Sequence, residues 1–478
     1  MYHHFYRGSY AIVFKIPQKT KFKHIAKNTI LTFLAIGFLQ SCSNHKQPEF
    51  NPDLFRGHFN HFSQTSGKVV GTYIGPATLR TEVDAAMFPA HSLTHLMYSF
   101  ITLCGPGQLA NVDEICQNQP DFTLATNSTS PDIQTVPLLQ KLKNRNPKLK
   151  IIASIGGGMG SKPFFPLAKS KRTRAIFIQS MMTYLQQQPV FDGVDVDWEH
   201  PKTKEQGQQY LLLMSEIRTA LNQLTKQTGQ TYQLTTAVSG SEWAVKHIPY
   251  GEVSNYLDYI FAMTYDGAGP WANRTGHHAS IYSAAYQPHS LDNSISNLIT
   301  AGVPANKLVA GAASYSRGWT KIKNIKDNNP FTGIGKYMTS QEFGNIQYKS
   351  AVAQNINSSN GKGLNGFEVV YDNKLDAYYL WEPDSHTMIG YDDPRAIIRK
   401  AEYVLHNKLA GLFYWNFGGD NGDVLNAINH GLQNQKQEEH MQVVCTHVPN
   451  IDSKWYVKAN KVYLNNSIDS IVQASCKG

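Results

Sequence analysis

Several patterns that would assign a function directly are missing from this sequence of 478 residues. It contains neither a CxxC nor an HExxH spacing, so no zinc site is predicted, and we expect neither a metal nor a cofactor. The lack of an internal repeat or a low-complexity tract excludes repeat arrays and long disordered regions. The glycine-rich run Gly156–Lys162 does not have P-loop spacing, so phosphate binding is not predicted.

The net charge of +9 could indicate a nucleic-acid partner, but its distribution argues against one. Residues 1–41 hold six basic residues and no acidic one, and they include the apolar run Ile30–Leu39. A basic stretch followed by a short apolar core is typical of a bacterial secretion signal, and ten apolar residues are too few to span a bilayer. The rest of the chain is nearly balanced in charge and has no basic block with interleaved aromatic residues, so no nucleic-acid partner is predicted.

The end of this leader, Leu39-Gln-Ser-Cys42, resembles the lipobox of bacterial lipoproteins. The resemblance implies that Cys42 is lipidated and becomes the new N-terminus. An ordinary cleaved signal peptide or an uncleaved anchor is the alternative. We therefore predict an exported protein, either secreted or held in the cell envelope as an outer-membrane lipoprotein whose lipid is its only membrane contact.

The remaining four cysteines fall into two local groups, Cys104 with Cys116 and Cys445 with Cys476. An even number of cysteines in an oxidising compartment predicts two disulfides. Three pairings are possible, and the local one is favoured because each pair lies within one segment.

From Lys68 onward, short apolar runs alternate with longer amphipathic stretches, which is the pattern of a parallel sheet built from βα units. The predicted strands are Lys68–Ile74, His95–Ile101, Lys150–Ile155, Phe191–Trp198, Tyr232–Val238, Leu257–Met263, Lys307–Ala313 and Gly411–Trp415. The predicted helices are Ile133–Asn144, Arg172–Gln187, Glu205–Thr225, Ser290–Ala301 and Pro394–Asn407. Eight strands alternating with helices predict an α/β fold of the (β/α)8 TIM-barrel type.

The gap between Ala313 and Gly411 is too long for one helix, and it contains the strand-like segments Phe367–Tyr371 and Ala377–Trp381. We therefore predict a small α+β insertion domain before the last strand. The complete predicted organisation is a signal peptide (1–41), a tether (42–66), the first part of the barrel (67–318), the insertion (319–390), the last part of the barrel (391–432) and a C-terminal extension (433–478).

Three acidic residues alternate with apolar ones within Phe191–Pro201. Alternate residues of a strand share a face, so Asp195, Asp197 and Glu199 lie on one side, about 7 Å apart along the strand, and Asp192 falls off that face. Acids inside a barrel repel one another and lose hydration, which raises a carboxyl pKa toward the range of a general acid. Glu199 comes last, at the end of the strand where barrel active sites form. The alternative is a calcium site or a solvated edge strand, but calcium favours loops with a glycine turn.

The spacing Asp192-x-x-Asp195-x-Asp197-x-Glu199 resembles the DxxDxDxE signature of glycoside hydrolase family 18, the chitinases. Further stretches resemble the family's other motifs in the same order. They are Ser154-Ile-Gly-Gly157 (SxGG), Met263-Thr-Tyr-Asp266 (MxYD), Gly311–Arg317 (GxPxYGR) and Trp415 after the eighth strand. The resemblance spans Lys68–Gly431, and the predicted insertion is similar to the family's insertion domain.

This resemblance implies a substrate-assisted reaction, in which the acetamido carbonyl of the sugar attacks C1 in place of a protein nucleophile. Glu199 would protonate the glycosidic oxygen and then act as the base, Asp197 would hold the acetamido N–H, and Asp195 would tune the protonation of its neighbour. Tyr265 would hydrogen-bond the acetamido oxygen. Met263 and Trp415 would form the apolar floor for the distorted sugar ring. Asp266 would hydrogen-bond the sugar hydroxyls, and Tyr315 and Arg317 would extend the sugar contacts. Tyr73 is also assigned to substrate binding.

Four other tryptophans are candidates for stacking further sugars, with core packing as the alternative for each. They are Trp271 and Trp381, which are favoured, and Trp243 and Trp319. The stretch Ser154–Gly157 is interpreted as close packing at the barrel rim, without a chemical role. The chain departs from the family pattern at His200, Ser316 and Asn416, where tyrosine, glycine and an acid are common.

The main functional prediction is a glycoside hydrolase, an exported monomeric chitinase that acts on chitin or chito-oligosaccharides. A second hypothesis is an endo-β-N-acetylglucosaminidase that acts on glycoprotein glycans. A third is a chitin-binding lectin without activity, against which the presence of Glu199, Asp197 and Tyr265 argues.

Overall fold

The computed structural model describes residues 45–81, 83, 87–125, 131–338 and 347–437, and three short strands further on. The predicted lipidation site Cys42 and the predicted pair Cys445–Cys476 lie outside these residues. The other predicted pair, Cys104 with Cys116, is confirmed as a disulfide. No helix within the described ranges is long and apolar enough to cross a membrane.

The chain is built from alternating strands and helices. In chain order the strands are β1 (Phe62–Ser63), β2 (Val69–Ile74), β3 (His95–Ile101), β4 (Lys150–Gly156), β5 (Gly193–Asp197), β6 (Gln233–Val238), β7 (Tyr259–Ala262), β8 (Leu308–Ala313), β9 (Arg317–Lys323), β10 (Ile334–Tyr337), β11 (Glu368–Asp372), β12 (Ala377–Glu382), β13 (Thr387–Tyr391), β14 (Gly411–Trp415), β15 (Gln435–Lys436), β16 (Trp455–Lys458), β17 (Lys461–Leu464) and β18 (Val472–Gln473). The helices are α1 (Pro76–Thr81), α2 (Asp113–Cys116), α3 (Pro131–Arg145), α4 (Gly157–Gly160), α5 (Phe164–Leu167), α6 (Lys171–Gln187), α7 (Lys204–Thr228), α8 (Glu242–Val245), α9 (Tyr250–Val253), α10 (Leu291–Thr300), α11 (Pro394–His406) and α12 (Asp423–Gly431).

Eight parallel strands close into a barrel in the order β14-β2-β3-β4-β5-β6-β7-β8. This confirms the predicted (β/α)8 architecture, and each predicted barrel strand agrees with the structure to within two residues at either end. The strands are recognisable in the sequence because a barrel strand is covered on both faces and therefore reads as a nearly continuous apolar run.

Large side chains fill the interior of the barrel. Tyr73, Phe261 and Phe413 pack there with ring centroids 5.1–6.3 Å apart, in tilted or edge-on arrangements. The barrel is therefore a packed core and not a pore, as expected for eight strands. Any chemistry must occur at an end of the barrel, where the loops leave room.

The predicted insertion is a five-stranded antiparallel sheet with the order β10-β9-β13-β12-β11. The two strands predicted here, β11 and β12, are confirmed. The sheet covers its own small core, which includes Trp319, Phe331 and Met388. Because β9 begins only four residues after β8 ends, the first residue of the sheet, Arg317, stands at the mouth of the barrel.

The segment 42–66 was predicted as a tether, and the structure differs from this where it describes the segment. Leu54, Phe55 and Phe62 are buried, and β1 pairs with β15. The amide of Gly57 donates to Asp423 Oδ1 at 2.9 Å. Because the segment is mostly polar, its sequence does not indicate that these few apolar residues are buried. In the C-terminal extension, β16, β17 and β18 form an antiparallel sheet.

Candidate active site

The acidic strand β5 has the alternation that the sequence predicts. Asp195 and Asp197 are buried on the inner side, whereas Val194, Val196 and Trp198 belong to the core between the barrel and its helices. The strand ends at Asp197, so Glu199 lies just beyond it at the mouth. Asp192 lies away from this group and pairs with Lys143 and Lys150.

Hydroxyl groups surround the carboxylate of Asp195. Ser154 and Tyr73 donate to Oδ2 at 2.7 and 3.2 Å, and Thr235 donates to Oδ1 at 2.7 Å. Burial raises the pKa of Asp195, and these hydrogen bonds oppose the rise. Tyr73 lines a cavity, as expected for a sugar contact, but its hydroxyl is committed to Asp195.

Asp197 is 2% exposed, and its buried Oδ1 has no hydrogen-bond partner among the described residues. Burial, with the negative charges of Glu199 and Asp195 beside it, raises its pKa well above the ordinary value. A buried acceptor without a donor is costly, so this oxygen is suited to receive an N–H or O–H from a ligand.

Glu199 is partly buried, and its pKa is raised to about 7 by burial and by the charge of Asp266, while a hydrogen bond from the Gly158 amide opposes the rise. Its own amide donates to the hydroxyl of Ser161 at 2.8 Å. The same hydroxyl contacts the carbonyl oxygen of Asp197 at 2.9 Å. Ser161 thus fixes the backbone on both sides of Trp198, a role that the sequence did not reveal.

A second polar group faces the acids from the strands that follow. Asp266 Oδ1 accepts hydrogen bonds from Tyr315 Oη and Arg317 Nε, each at 2.6 Å. The guanidinium of Arg317 also donates to Tyr337 at 2.8 Å and lies 4.9 Å from the centroid of the Trp271 ring. The MxYD and GxPxYGR stretches are therefore joined directly by these hydrogen bonds to Asp266.

Tyr265 precedes this group and is packed tightly against its neighbours. A Cβ on Gly311 would lie 2.8 Å from the Tyr265 ring, so the glycine of the seventh barrel strand makes room for it. Burial and the surrounding carboxylates, first among them Asp197, raise the pKa of Tyr265 well above its ordinary value. The hydroxyl therefore stays protonated and able to donate.

Trp415 forms an aromatic floor at the end of β14. Its ring lies 5.3 Å from that of Tyr73 and is stacked on Phe100 at 5.7 Å. Met263 packs against the same barrel-interior cluster. Phe100 comes close because Gly157 carries no side chain, since a Cβ there would lie 2.4 Å from its ring.

Two cavities meet at Glu199, which lines both of them. The first has a volume of about 720 Å³ and contains Asp197, Trp415 and Tyr73 in its lining. The second has a volume of about 500 Å³ and is more polar. Both cavities share Glu199 and three further residues, which are Met263, Tyr265 and Asp266. The acid thus stands at the boundary between two binding spaces, as cleavage of a chain between two units requires.

The structure separates the four candidate stacking tryptophans. Trp271 and Trp243 line the second cavity and are 60% and 46% exposed. Trp381 stands in the insertion sheet, stacks on His386 at 5.9 Å and lines neither cavity. Trp319 is buried in the core of the insertion. Of the favoured pair, the structure thus places Trp271 at a cavity beside Glu199 and Trp381 away from both cavities, and their stacking on sugars stays a prediction.

The serine of the SxGG stretch was interpreted as packing only, and this interpretation needs correction. The glycines do serve close approach, since a Cβ on Gly156 would lie 2.2 Å from the carbonyl oxygen of Asp197. Ser154, however, binds Asp195 directly. Other site residues that the sequence did not single out are Ser161, Thr235, Phe100 and Gly158. Within the described part of the chain, no cluster of three or more metal-ligating side chains occurs.

Buried acids and an aromatic floor thus lie together at the carboxyl ends of the strands of a parallel barrel, the end where the active sites of such barrels form. The chain belongs to family 18 of the glycosyl hydrolases, whose pattern matches residues 68–420.

Named relatives support this assignment. The chain is 33% identical over 431 residues to Chitinase A of Pseudoalteromonas piscicida, an alignment that covers 77% of this chain and 52% of that protein. It is 32% identical over 383 residues to the chitinase of Autographa californica nuclear polyhedrosis virus, covering 71% and 68%. A solved N-acetylglucosaminidase of this family from Paenibacillus barengoltzii superposes with a TM-score of 0.64 at 28% identity, covering 76% and 99%. The chain spans about half the length of the first of these relatives.

Proposed function

We propose that this protein is a chitinase that hydrolyses β-1,4-linked N-acetylglucosamine polymers with retention of configuration. The observation that carries the proposal is the position of Glu199 between two cavities, with its pKa raised to about 7. A carboxyl with this pKa is half protonated near neutral pH and can both donate and recover a proton.

In the proposed mechanism, a sugar with its acetamido group lies over Trp415 in the first cavity, and Glu199 protonates the glycosidic oxygen. The acetamido carbonyl attacks C1 and forms an oxazolinium ion as the leaving sugar departs. The unpartnered Oδ1 of Asp197 accepts the acetamido N–H and balances the positive charge. Tyr265 donates to the acetamido oxygen, and water activated by Glu199 then opens the ring.

The environment of the acids supports this division of roles. Asp195 already accepts three hydrogen bonds and is suited to stay in place behind Asp197. Asp197 has an oxygen to offer to a ligand, and Glu199 is the most accessible of the three. The relatives named chitinases are also in agreement with the substrate class.

The decisive experiment compares wild type with Glu199→Gln on N-acetylglucosamine oligomers of defined length. We expect Glu199→Gln to bind the oligomers while turnover falls by at least about 10²–10⁴-fold, the usual contribution of a general acid. The matched control is Glu205→Gln on the exposed start of α7, which should retain wild-type turnover. Binding by wild type without hydrolysis would instead indicate a lectin, and release of a glycoprotein glycan with inert oligomers would indicate an endo-β-N-acetylglucosaminidase.

We also propose that the protein is exported as a monomeric lipoprotein through Cys42. The basic leader and the lipobox-like Leu39-Gln-Ser-Cys42 support this proposal. A bacterial host expressing the full chain should incorporate a labelled fatty acid into wild type and none into Cys42→Ser. Label in Cys42→Ser would contradict lipidation at this residue, and an unlabelled, secreted wild type would indicate an ordinary signal peptide.

A further inference from the structure

His200 is the residue next to the acid, and it departs from the family pattern. Its Nε2 lies 3.5 Å from Oε2 of Glu199. Both side chains are largely buried, with 17% and 24% of their surfaces exposed, and both line the second cavity. The ring of Trp243 packs edge-on against the imidazole, with the ring centroids 5.5 Å apart. His200 is therefore a fixed polar group at the acid and not a mobile surface residue.

The groups that face Glu199 shift its pKa in opposite directions. Asp266 and Asp197 are negative and favour the protonated form, and Tyr265 is a neutral hydroxyl close by. The amide of Gly158 donates to the carboxylate and favours the charged form. A second donor to the Glu199 carboxylate would also favour its charged form.

The imidazole of His200 is able to be such a donor without carrying a charge. Burial, with the charge of Lys202, lowers the pKa of His200 to about 4, so the ring is neutral above pH 5 and bears one N–H. The nitrogen that holds this proton is determined by the hydrogen bond available to it. A carboxylate oxygen 3.5 Å away favours the proton on Nε2. A separation of this length is common for catalytic hydrogen bonds in free enzymes, which tighten in the substrate complex.

We propose that His200 is a positioning residue that donates a hydrogen bond from Nε2 to Oε2 of Glu199 and so sets the pH at which the acid releases its proton. Both residues line the second cavity, where the leaving sugar would lie. The effect of His200 on catalysis rests on the proposed function of Glu199. The contact between the two side chains does not, because it can be tested without turnover.

Two variants of the full chain test this contact. His200→Phe keeps an aromatic ring against Trp243 and removes the donor, whereas His200→Gln restores an N–H near the position of Nε2. The Glu199 carboxyl is followed by ¹³C NMR on glutamate-labelled protein, with its signal assigned by its loss in Glu199→Gln. We expect the Glu199 pKa to rise by about half a unit in His200→Phe, because a donor to the charged form is lost, and to return to the wild-type value in His200→Gln.

The pH profile of kcat/KM gives the second readout. The alkaline limb, where Glu199 loses its proton, should move upward in His200→Phe by the same half unit and remain in place in His200→Gln. An unchanged or lowered Glu199 titration in His200→Phe, or a rise shared equally by His200→Gln, overturns the inference. If the NMR shift occurs while wild type hydrolyses no oligomer, the contact stands and the proposed function alone fails.

Discussion

Ser154 lies opposite Asp195 in the register of β4 and β5, and its hydroxyl donates to Oδ2 of that carboxylate at 2.7 Å. Asp195 lies opposite Thr235 in the register of β5 and β6, and Thr235 donates to Oδ1. The three side chains form a row across the barrel interior. The parallel pairing of three strands therefore supplies two of the donors that hold a buried carboxylate behind the active site.

Deleting one of these hydroxyls should weaken the reaction without removing a group that touches the sugar. Thr235→Val keeps the shape and loses the donor, so we expect a further rise in the Asp195 pKa and a kcat at least about tenfold lower. A hydrogen bond to a charged group contributes about 1.5–3 kcal/mol, which corresponds to such a factor. Thr235→Ser retains the hydroxyl and should keep most of the activity. Equal kcat in wild type and Thr235→Val would contradict this role of the row.

This row shows what the sequence could and could not predict. The strands and Asp195, Asp197 and Glu199 were predictable because a buried barrel strand is apolar and acids within one stand out. Ser154 and Thr235 were not, because a hydroxyl in an apolar strand has many uses, and only the register between strands directs it to a carboxylate.

Other misses have the same kind of cause. The packed segment near Phe55 was obscured by polar neighbours, since its few apolar residues follow no period. In the insertion, β10 is mostly exposed and gave no apolar run to recognise. Sequence patterns thus predicted the elements with a regular apolar pattern, while contacts between distant segments required the fold.

The pKa of Glu199 predicts the pH dependence of activity. Glu199 must be protonated to act as the general acid, so kcat/KM should fall on the alkaline side with a midpoint at about pH 7. The measurement is kcat/KM on a chito-oligosaccharide from pH 4 to 9, with Glu205→Gln as the control that keeps the profile. A value of kcat/KM that stays constant from pH 6 to 9 would exclude Glu199 as the group whose proton limits the reaction.

The same pKa predicts a pH-dependent cost in stability. The pKa of Glu199 is raised from 4.5 to about 7 in the folded protein, so its contribution to stability is complete below pH 4.5 and lost as the pH rises through 7. Glu199→Gln carries no charge and should exceed wild type in unfolding free energy by about 3 kcal/mol at pH 8, and match it at pH 4. Urea unfolding at both pH values tests this. A difference of the same size at both would mean that packing, and not ionisation, causes it.

The disulfide between Cys104 and Cys116 should affect both stability and substrate binding. It closes the loop after β3, in which Gln108, Leu109 and Val112 line the first cavity. Replacing both cysteines by alanine releases a loop of this length and should lower the unfolding free energy by about 3 kcal/mol. Because the same loop forms a wall of the cavity, KM for long oligomers should rise. We expect kcat to stay close to wild type, since none of the site acids Asp195, Asp197 and Glu199 lies on the loop. Calorimetry with and without reductant tests the first effect, and oligomer kinetics test the second. If reductant leaves the melting temperature of wild type unchanged, the disulfide does not stabilise the fold. If the variant has a reduced kcat and an unchanged KM, the loop does not act through substrate binding.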